Sequence, residues 1–417
     1  MNAAFLVALV LAQNYQGYPI APRSSGMGGT ATALGNGASN TFYNPSAVAW
    51  NDESMTGDVS GNLFAGSLTT LSSQFGLETQ VPRLGVQIIP SNMSFEWRGL
   101  ELGPIKLSKK WGLGISVVAP FDVELSSLVS TPDRSTLAII NSLERVYAIY
   151  NSIAYRLTDD FGIGLAIVAM YRQFSNTAIF DHLEKGGLFE SAVIQQSRKS
   201  VSHGLSVGTQ WRPANGFRLG GSVRLPVTSV FGFGDDHGRI TVTAPNLPQP
   251  ARVTIDRQVE ARYERPWRFN LGLAYERPKS FAIAADISAH TPLEYVSERD
   301  VATGATLEVT RLVPVLNFSV GGEVFIKGSA VRAGFFTDHS PLPVELNLDT
   351  PRINRYGGTI SLELERKLYR TEVGILVSVG LIRATTADAV GGTFAPVPVS
   401  GTELRGIITY SSTLRFF

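Results

Sequence analysis

Histidine is the side chain with the widest chemical range in this sequence, and there are five: His182, His203, His237, His290 and His339. None stands at the close spacing that metal-ligating histidines adopt. His182, His237 and His339 fall in expected loops and read as solvated. A hydrolytic site would need a histidine in register with Ser or Asp, and the pattern provides none. The chain has no Cys, which removes thiol nucleophiles, thiolate metal sites and disulfides together. Gly26-x-Gly28-x-x-Ala31 fits a dinucleotide fingerprint formally, but no strand leads into it and no βαβ unit follows. The expectation is a non-enzyme without metal or cofactor. Binding chemistry is better represented. Arg172 and Arg332 could each hold a substrate carboxylate, or pair with Asp or Glu structurally. Met27, Phe42 and Tyr43 could form an apolar ligand wall or simply pack.

The elements that must position these groups are strands. From about residue 110 the chain alternates strand, short polar turn, strand and long polar connection. Short turns read at 158–160, 213–216, 277–279, 327–328 and 366–368. Long connections fall near 122–146, 175–199, 228–264, 296–312, 339–354 and 384–402. The strands alternate with period two. Ile163, Leu165, Ile167, Ala169 and Tyr171 share one face, and Gly162, Gly164, Ala166, Val168 and Met170 share the other. By the same alternation Arg172 lies opposite Tyr171, and Arg332 lies opposite Val331, Ala333 and Phe335, so both point to the polar side.

Short turns on one side, long connections on the other and an even strand number are the marks of a transmembrane antiparallel β-barrel. Strands starting near 147, 161, 200, 217, 266, 280, 313, 329, 355, 369 and 403, with 111–121, roughly 81–98 and roughly 55–68 before them, bring the total to about 14. A soluble propeller or sandwich would have shorter strands and less regular connections. Charged residues make up 17% of the chain, below the ~25% of soluble domains, and Gly is frequent at 41 residues. A net charge of +1 gives no field for nucleic acid, and none is expected as a partner. No segment reaches ~18 uninterrupted apolar residues, so helical spans are absent. Thr131 to Tyr147 reads as either a short helix at the barrel mouth, from its apolar spacing of three to four, or a plain external loop.

The ends of the chain agree with an envelope protein. Ala3–Ala12 is an apolar run of ten followed by Gln13, which predicts a signal peptide over residues 1–12 cleaved after Ala12. The tail from Leu404 to Phe417 is strand-like, without Pro, and ends on two Phe residues. In a barrel the last strand pairs with the first and closes the sheet, and the terminal Phe resembles the ending of bacterial outer-membrane barrels, which implies the barrel-assembly machinery as a partner during insertion. Leu404, Ile408, Tyr410, Leu414 and Phe416 share one face of that tail, and Phe417 falls on the other.

Between these ends lies a block of small residues, Ser24-Ser25-Gly26-Met27-Gly28-Gly29-Thr30-Ala31-Thr32-Ala33-Leu34-Gly35, continuing to Phe42-Tyr43-Asn44-Pro45-Ser46. Small residues suit a segment packed inside a barrel, where backbone approaches backbone. This block resembles the N-terminal hatch of the FadL-type outer-membrane transporters, with Asn44-Pro45-Ser46 in place of the family's Asn-Pro-Ala. Asn151–Asp159, Pro266–Tyr275 and Val331–Pro343 look like family segments as well. The resemblance implies a hatch over residues 13–53 that plugs the lumen of a barrel over 54–417, with Gly26, Gly28, Gly29, Gly35, Asn44 and Pro45 in gating roles. It further implies passive uptake of hydrophobic small molecules, long-chain fatty acids or aromatic hydrocarbons, with lateral exit to lipid. The expected partners are that substrate and outer-membrane lipid, and the expected state is a monomer in the bacterial outer membrane. The alternative is a barrel that docks a partner in protein secretion or surface assembly; a general porin is weaker, since a hatch obstructs a wide channel.

Overall fold

From Met55 onward the backbone is almost continuously extended. The computed structural model describes residues 14–51, 53–73, 78–83, 87–99, 101–102, 105–106, 108–130, 136–183, 187–245, 249–343, 352–390 and 393–416. The expected signal peptide, Thr131–Ser135 and Phe417 lie outside these. Fourteen strands form the barrel ring among the described residues. They are β1 (Met55–Ser73), β2 (Gln87–Arg98), β3 (Trp111–Ser130), β4 (Thr136–Arg156), β5 (Phe161–Leu183), β6 (Phe189–Trp211) and β7 (Phe217–Arg224). The ring continues with β8 (Arg268–Arg277), β9 (Phe281–His290), β10 (Val315–Ile326), β11 (Ser329–Asp338), β12 (Arg352–Glu365), β13 (Tyr369–Val390) and β14 (Thr393–Phe416). Each strand pairs antiparallel with the next. The ring closes where β14 pairs with β1, from Met55↔Phe416 to Ser73↔Val399. Closure pairs the two end strands with each other, so neither is left as a free edge in the apolar interior of a membrane.

The alternation read from the sequence becomes an outside and an inside. In β8, Phe269, Leu271 and Leu273 are 42%, 68% and 52% exposed, while Asn270, Ala274 and Glu276 are buried. Water would make that outer face costly, whereas acyl chains solvate it well. Leu404, Ile408, Tyr410 and Leu414 of β14 point outward in the same way. At the short-turn end Phe217, Tyr275 and Phe281 form an aromatic row with ring centroids 5.1 and 5.8 Å apart, at the level where aromatic side chains meet headgroups. No described helix is long and apolar enough to cross a membrane; the strands do the crossing.

The long connections differ from the sequence reading. Much of 122–146, 175–199 and 384–402 is strand, because β3–β6, β13 and β14 run on past the membrane as paired ribbons. Residues 136–147 form strand, neither helix nor loop: Ser142, Glu144, Val146 and Ala148 are buried on one side of β4. In these ribbons polar residues such as Asn141, Ser175 and Gln195 interrupt the apolar alternation while the ladder continues. Two further hairpins stand above the ring. Thr228–Thr243 pairs with β6 and with Ala251–Ala261, and Leu293–Asp300 pairs with Thr306–Leu312. The single strand expected over 81–98 is divided: Glu78–Arg83 folds back on β1, and only β2 belongs to the ring.

Candidate functional site

Residues 14–51 lie against the inner face of the ring and are almost wholly buried. The segment contains a short α-helix, α1 (Pro22–Gly26), and two 3₁₀ turns, Ala38–Asn40 and Pro45–Trp50. Its backbone reaches the wall because the wall carries glycine at inward positions. A Cβ on Gly164 would strike Pro45 and Ser46, one on Gly220 would strike Thr32, and one on Gly334 would strike Met27 and Gly28. These glycines occupy the inward parity of their strands, a signal available in the sequence once period two is recognised.

Polar side chains of the wall then fasten the segment's backbone. Asp286 accepts the Ala31 and Thr32 amides through one oxygen, both at 2.8 Å. Glu96 accepts the Ala38 amide at 3.0 Å. Gln210 donates to the carbonyls of Thr32, Ala33 and Gly35 at 3.0–3.2 Å. Asn270 donates to the Tyr43 carbonyl at 3.0 Å. The sequence reading missed all four; their signal is a polar residue at an inward position with an apolar outward residue beside it.

The residues named from the sequence are distributed along this interface. Asn44 is the N-cap of the second 3₁₀ turn, with Pro45 at its first position. Its Oδ1 accepts from the Ser46 amide and hydroxyl, and its Nδ2 donates to Thr32 O at 2.8 Å and Thr209 O at 2.9 Å. Gly28 has φ +68°, and a side chain there would meet the backbone of Phe335. Its amide donates to Thr359 Oγ1, whose hydroxyl donates to the Gly26 carbonyl. The Gly29 amide donates to Ser24 O, and the Gly35 carbonyl accepts from Gln210 and Arg212. Met27 is fully buried in a cluster with Ala33, Leu34, Ala274, Ala282 and Ala284. Phe42 packs edge-on to Tyr43 and Tyr150, with Arg268 stacked 4.4 Å from its ring centroid. The Tyr43 hydroxyl accepts the Ile20 amide at 2.9 Å.

Both arginines chosen from the sequence face inward and both are taken by carboxylates. Arg332 contacts Glu323, Glu363 and Glu372 at 2.5, 2.8 and 2.6 Å. Arg172 contacts Glu144 at 2.7 Å and stacks on Phe174 and Tyr263. All three guanidinium nitrogens of Arg332 thus contact protein carboxylates, which is the structural pairing that the sequence reading set beside a substrate-carboxylate role.

Two cavities flank the N-terminal segment. The one at the short-turn end is about 490 Å³ and strongly polar, with Arg23, Arg212, Arg218, Glu276 and Glu323 among its walls. The one toward the long-connection end is about 50 Å³ and mixes Tyr15, Tyr18, Tyr43 and Phe336 with Arg268 and His290.

The wall itself is interrupted between β2 and β3. Their ladder runs from Arg98↔Gly112 only to Asn92↔Val118. Continued in register, Pro90 would face Pro120, and two prolines remove two amide donors from the ladder. Beyond Ser91, among the described residues, the strand β2 pairs with β1 alone. On the other side of β3 the register against β4 shifts between Val118 and Phe121, so Ala119 and Pro120 form a bulge opposite Tyr147. The N-terminal segment covers this place: Gly17 N donates to Pro120 O at 2.9 Å, and the Tyr18 hydroxyl donates to Ala119 O at 2.6 Å. Proline inside an expected strand was the available sequence signal.

No family model and no curated protein matches the chain. Solved structures do match over nearly its full length. A FadL homologue of Pseudomonas aeruginosa aligns with TM-score 0.64 at 14% identity, covering 98% of this chain and 99% of that one. The toluene transporter TodX of Pseudomonas putida aligns with TM-score 0.63 at 14% identity, covering 97% and 99%. The toluene transporter TbuX of Ralstonia pickettii aligns with TM-score 0.58 at 16% identity, covering 97% and 100%. The fold is the FadL-type barrel, and a single-chain barrel with an apolar belt is the architecture of the bacterial outer membrane, which it crosses many times.

Proposed function

We propose that this barrel carries hydrophobic small molecules passively into the outer membrane, entering at the long-connection end and leaving sideways between β2 and β3. The observation that carries the reading is the unpaired stretch of wall beside the Ala119–Pro120 bulge. Val118 is the eighth residue of β3 counted from its short-turn end. Since roughly 9–11 tilted residues cross a bilayer, the gap opens at the depth of the outer leaflet. An apolar solute would gain nothing from the charged short-turn cavity, whereas a lateral exit delivers it to acyl chains. Residues 14–51 act as the plug, and movement of Gly17 and Tyr18 off the two carbonyls would open the gate. The resemblance to toluene transporters and to a FadL homologue supports a hydrophobic substrate. The same reading makes the chain a transporter with no catalytic chemistry of its own, working as a monomer.

The test is uptake of labelled oleate and toluene by cells carrying the wild-type gene, a Pro120 deletion, or a deletion of residues 24–37. Removing Pro120 takes out the extra residue of the bulge and lets β3 pair continuously. Uptake that depends on the gene and is lost with Pro120 is the expected result. Uptake unchanged by the gene for both solutes would refute transport, and uptake insensitive to the Pro120 deletion would refute the lateral route.

A further inference from the structure

Most buried acids of this barrel are answered by arginine: Glu144, Asp236, Glu276, Glu323, Glu363 and Glu372 each meet one at 2.5–2.9 Å. Asp58 and Glu96 are not. Both are buried on the inward face, Asp58 on β1 and Glu96 on β2, and among the described residues neither meets Lys or Arg within ion-pair distance. Arg98, the next inward residue after Glu96, donates to Lys109 O, and Arg415, opposite Thr56, donates to Glu365. A buried carboxylate without a counter-charge is a strong cost that folding normally avoids.

Register gathers further oxygens around Asp58. It lies directly opposite Ser94 of β2 and Thr413 of β14. Asn92 and Glu96 are its diagonal neighbours on β2, at the spacing of about 7–8 Å that such pairs have. The hydroxyls of Ser39, Ser94 and Thr413 donate to the Asp58 carboxylate. Ser39 belongs to residues 14–51, and its neighbour Ala38 gives its amide to Glu96 Oε2 at 3.0 Å. One turn of that segment therefore touches both carboxylates, and a Cβ on Gly37 would come within 3.2 Å of the same glutamate oxygen. Two polar groups here are unspent. Glu96 Oε1 and both amide atoms of Asn92 are buried without a hydrogen-bond partner, in residues only 1% and 2% exposed. Buried polar atoms left this way in a native site call for a ligand or water.

We infer that Asp58, Glu96 and Asn92 hold a divalent cation of the calcium type, which latches the Gly37–Ser39 turn to β1 and β2. The donors are all oxygen: two carboxylates, one amide carbonyl, and the hydroxyls of Ser39, Ser94 and Thr413. Calcium takes six to eight oxygens of mixed charge and tolerates irregular geometry, and two carboxylates neutralise it. The polar cavity of about 490 Å³ at the short-turn end has Ser39, Asn51, Asp58 and Thr413 among its walls, so a hydrated ion reaches the site from the aqueous side. Among the described residues no three His, Asp or Glu side chains gather as a metal site. With two carboxylates alone the affinity is that of a weak site, with Kd on the order of 10⁻⁴–10⁻³ M. The inference concerns how residues 14–51 are held and does not depend on what the barrel carries.

The experiment is equilibrium binding of radiolabelled calcium to the full-length barrel in phosphatidylcholine nanodiscs, after stripping with EDTA and with empty discs subtracted. Wild-type protein should show a saturable site that Asp58→Asn and Glu96→Gln each weaken by about tenfold or more, with Asn92→Ala weakening it less. Amide exchange reads the latch. Calcium at about ten times Kd should slow exchange at Ala38 by about tenfold in wild type, and leave it unchanged in Glu96→Gln. The heat-dependent gel shift of a folded barrel identifies variants fit to compare, and Asn92→Ala replaces an acid variant that fails. Absence of saturable calcium binding by wild type would overturn the inference. Saturable binding kept by both acid variants would overturn it as well, since the cation would then sit on other acids of the barrel. Binding lost from the variants without slower Ala38 exchange in wild type would overturn the latch.

Discussion

Replacing Asn44 with Ala should loosen residues 14–51, the proposed plug, without unfolding the barrel. The side chain is fully buried and makes four hydrogen bonds, two as acceptor from Ser46 and two as donor to Thr32 O and Thr209 O. Loss of an N-cap costs about 1 kcal/mol. The Thr32 carbonyl keeps Gln210 at 3.2 Å, so the Thr209 carbonyl and the Ser46 hydroxyl bear the main loss. Polar groups stripped of a partner in a buried site cost about 1–3 kcal/mol, which with the cap gives roughly 2–4 kcal/mol for plug docking. At tenfold per 1.4 kcal/mol, local opening should become roughly 30- to 700-fold more frequent. Native-state amide exchange at Tyr43, Asn44 and Ala47, whose amides bond within the plug, reads that change directly. Amides of β12 and β13, held by the barrel ladder, should exchange at the wild-type rate. Acceleration below about threefold at the plug would refute the assignment of Asn44 as an anchor, since it would leave under ~1 kcal/mol for all four bonds. Equal acceleration in β12 and β13 would refute the claim that plug and wall open separately.

Gly164→Val should expel the 45–50 turn from its seat, since any Cβ there meets the Pro45 and Ser46 backbone; raised ion conductance in planar bilayers, with the heat-dependent gel shift retained, is the expected signature. Arg332→Leu leaves Glu323, Glu363 and Glu372 buried together without that cation and should cost about 3–5 kcal/mol, read as a lower thermal transition of the folded barrel. Asp286→Leu orphans the Ala31 and Thr32 amides and should weaken plug docking by about 1–3 kcal/mol per amide, whereas Asp286→Asn, which keeps an acceptor, should lose less by the same exchange measurement. Truncation after Ser411 removes the pairing of Ser412–Phe416 with Met55–Val59 and should leave the β14–β1 seam open at its short-turn end, seen as a reduced folded species in outer-membrane fractions.

The residues themselves determined a great deal. Period two in strands such as β5 and β8 assigned each side chain to lipid or lumen, because adjacent Cβ atoms must point to opposite faces. That is why Arg172 and Arg332 could be sent inward and Leu404, Ile408, Tyr410 and Leu414 placed together on one face. Asn44-Pro45 announced a capped turn, since the amide side chain and the fixed proline φ act on neighbouring residues. The extended ribbons above the membrane were less legible. Segments such as Ser191–Gln196 carry no apolar alternation, and their strand character comes from the partner ladder.

Tertiary structure alone decided what meets across the lumen. Alternation sets a residue's face, but its height on the ring depends on register, and register is fixed by pairing summed around a closed barrel. Three glutamates from β10, β12 and β13 converge on Arg332 for that reason, while Arg224, Arg268 and His290 share one level with no acid among them. The gap between β2 and β3 has the same origin. Pro90 and Pro120 are each visible in the chain, yet only the register of β2 on β3 shows that the ladder stops just before the level where they would face one another, and neither could donate a bond to extend it.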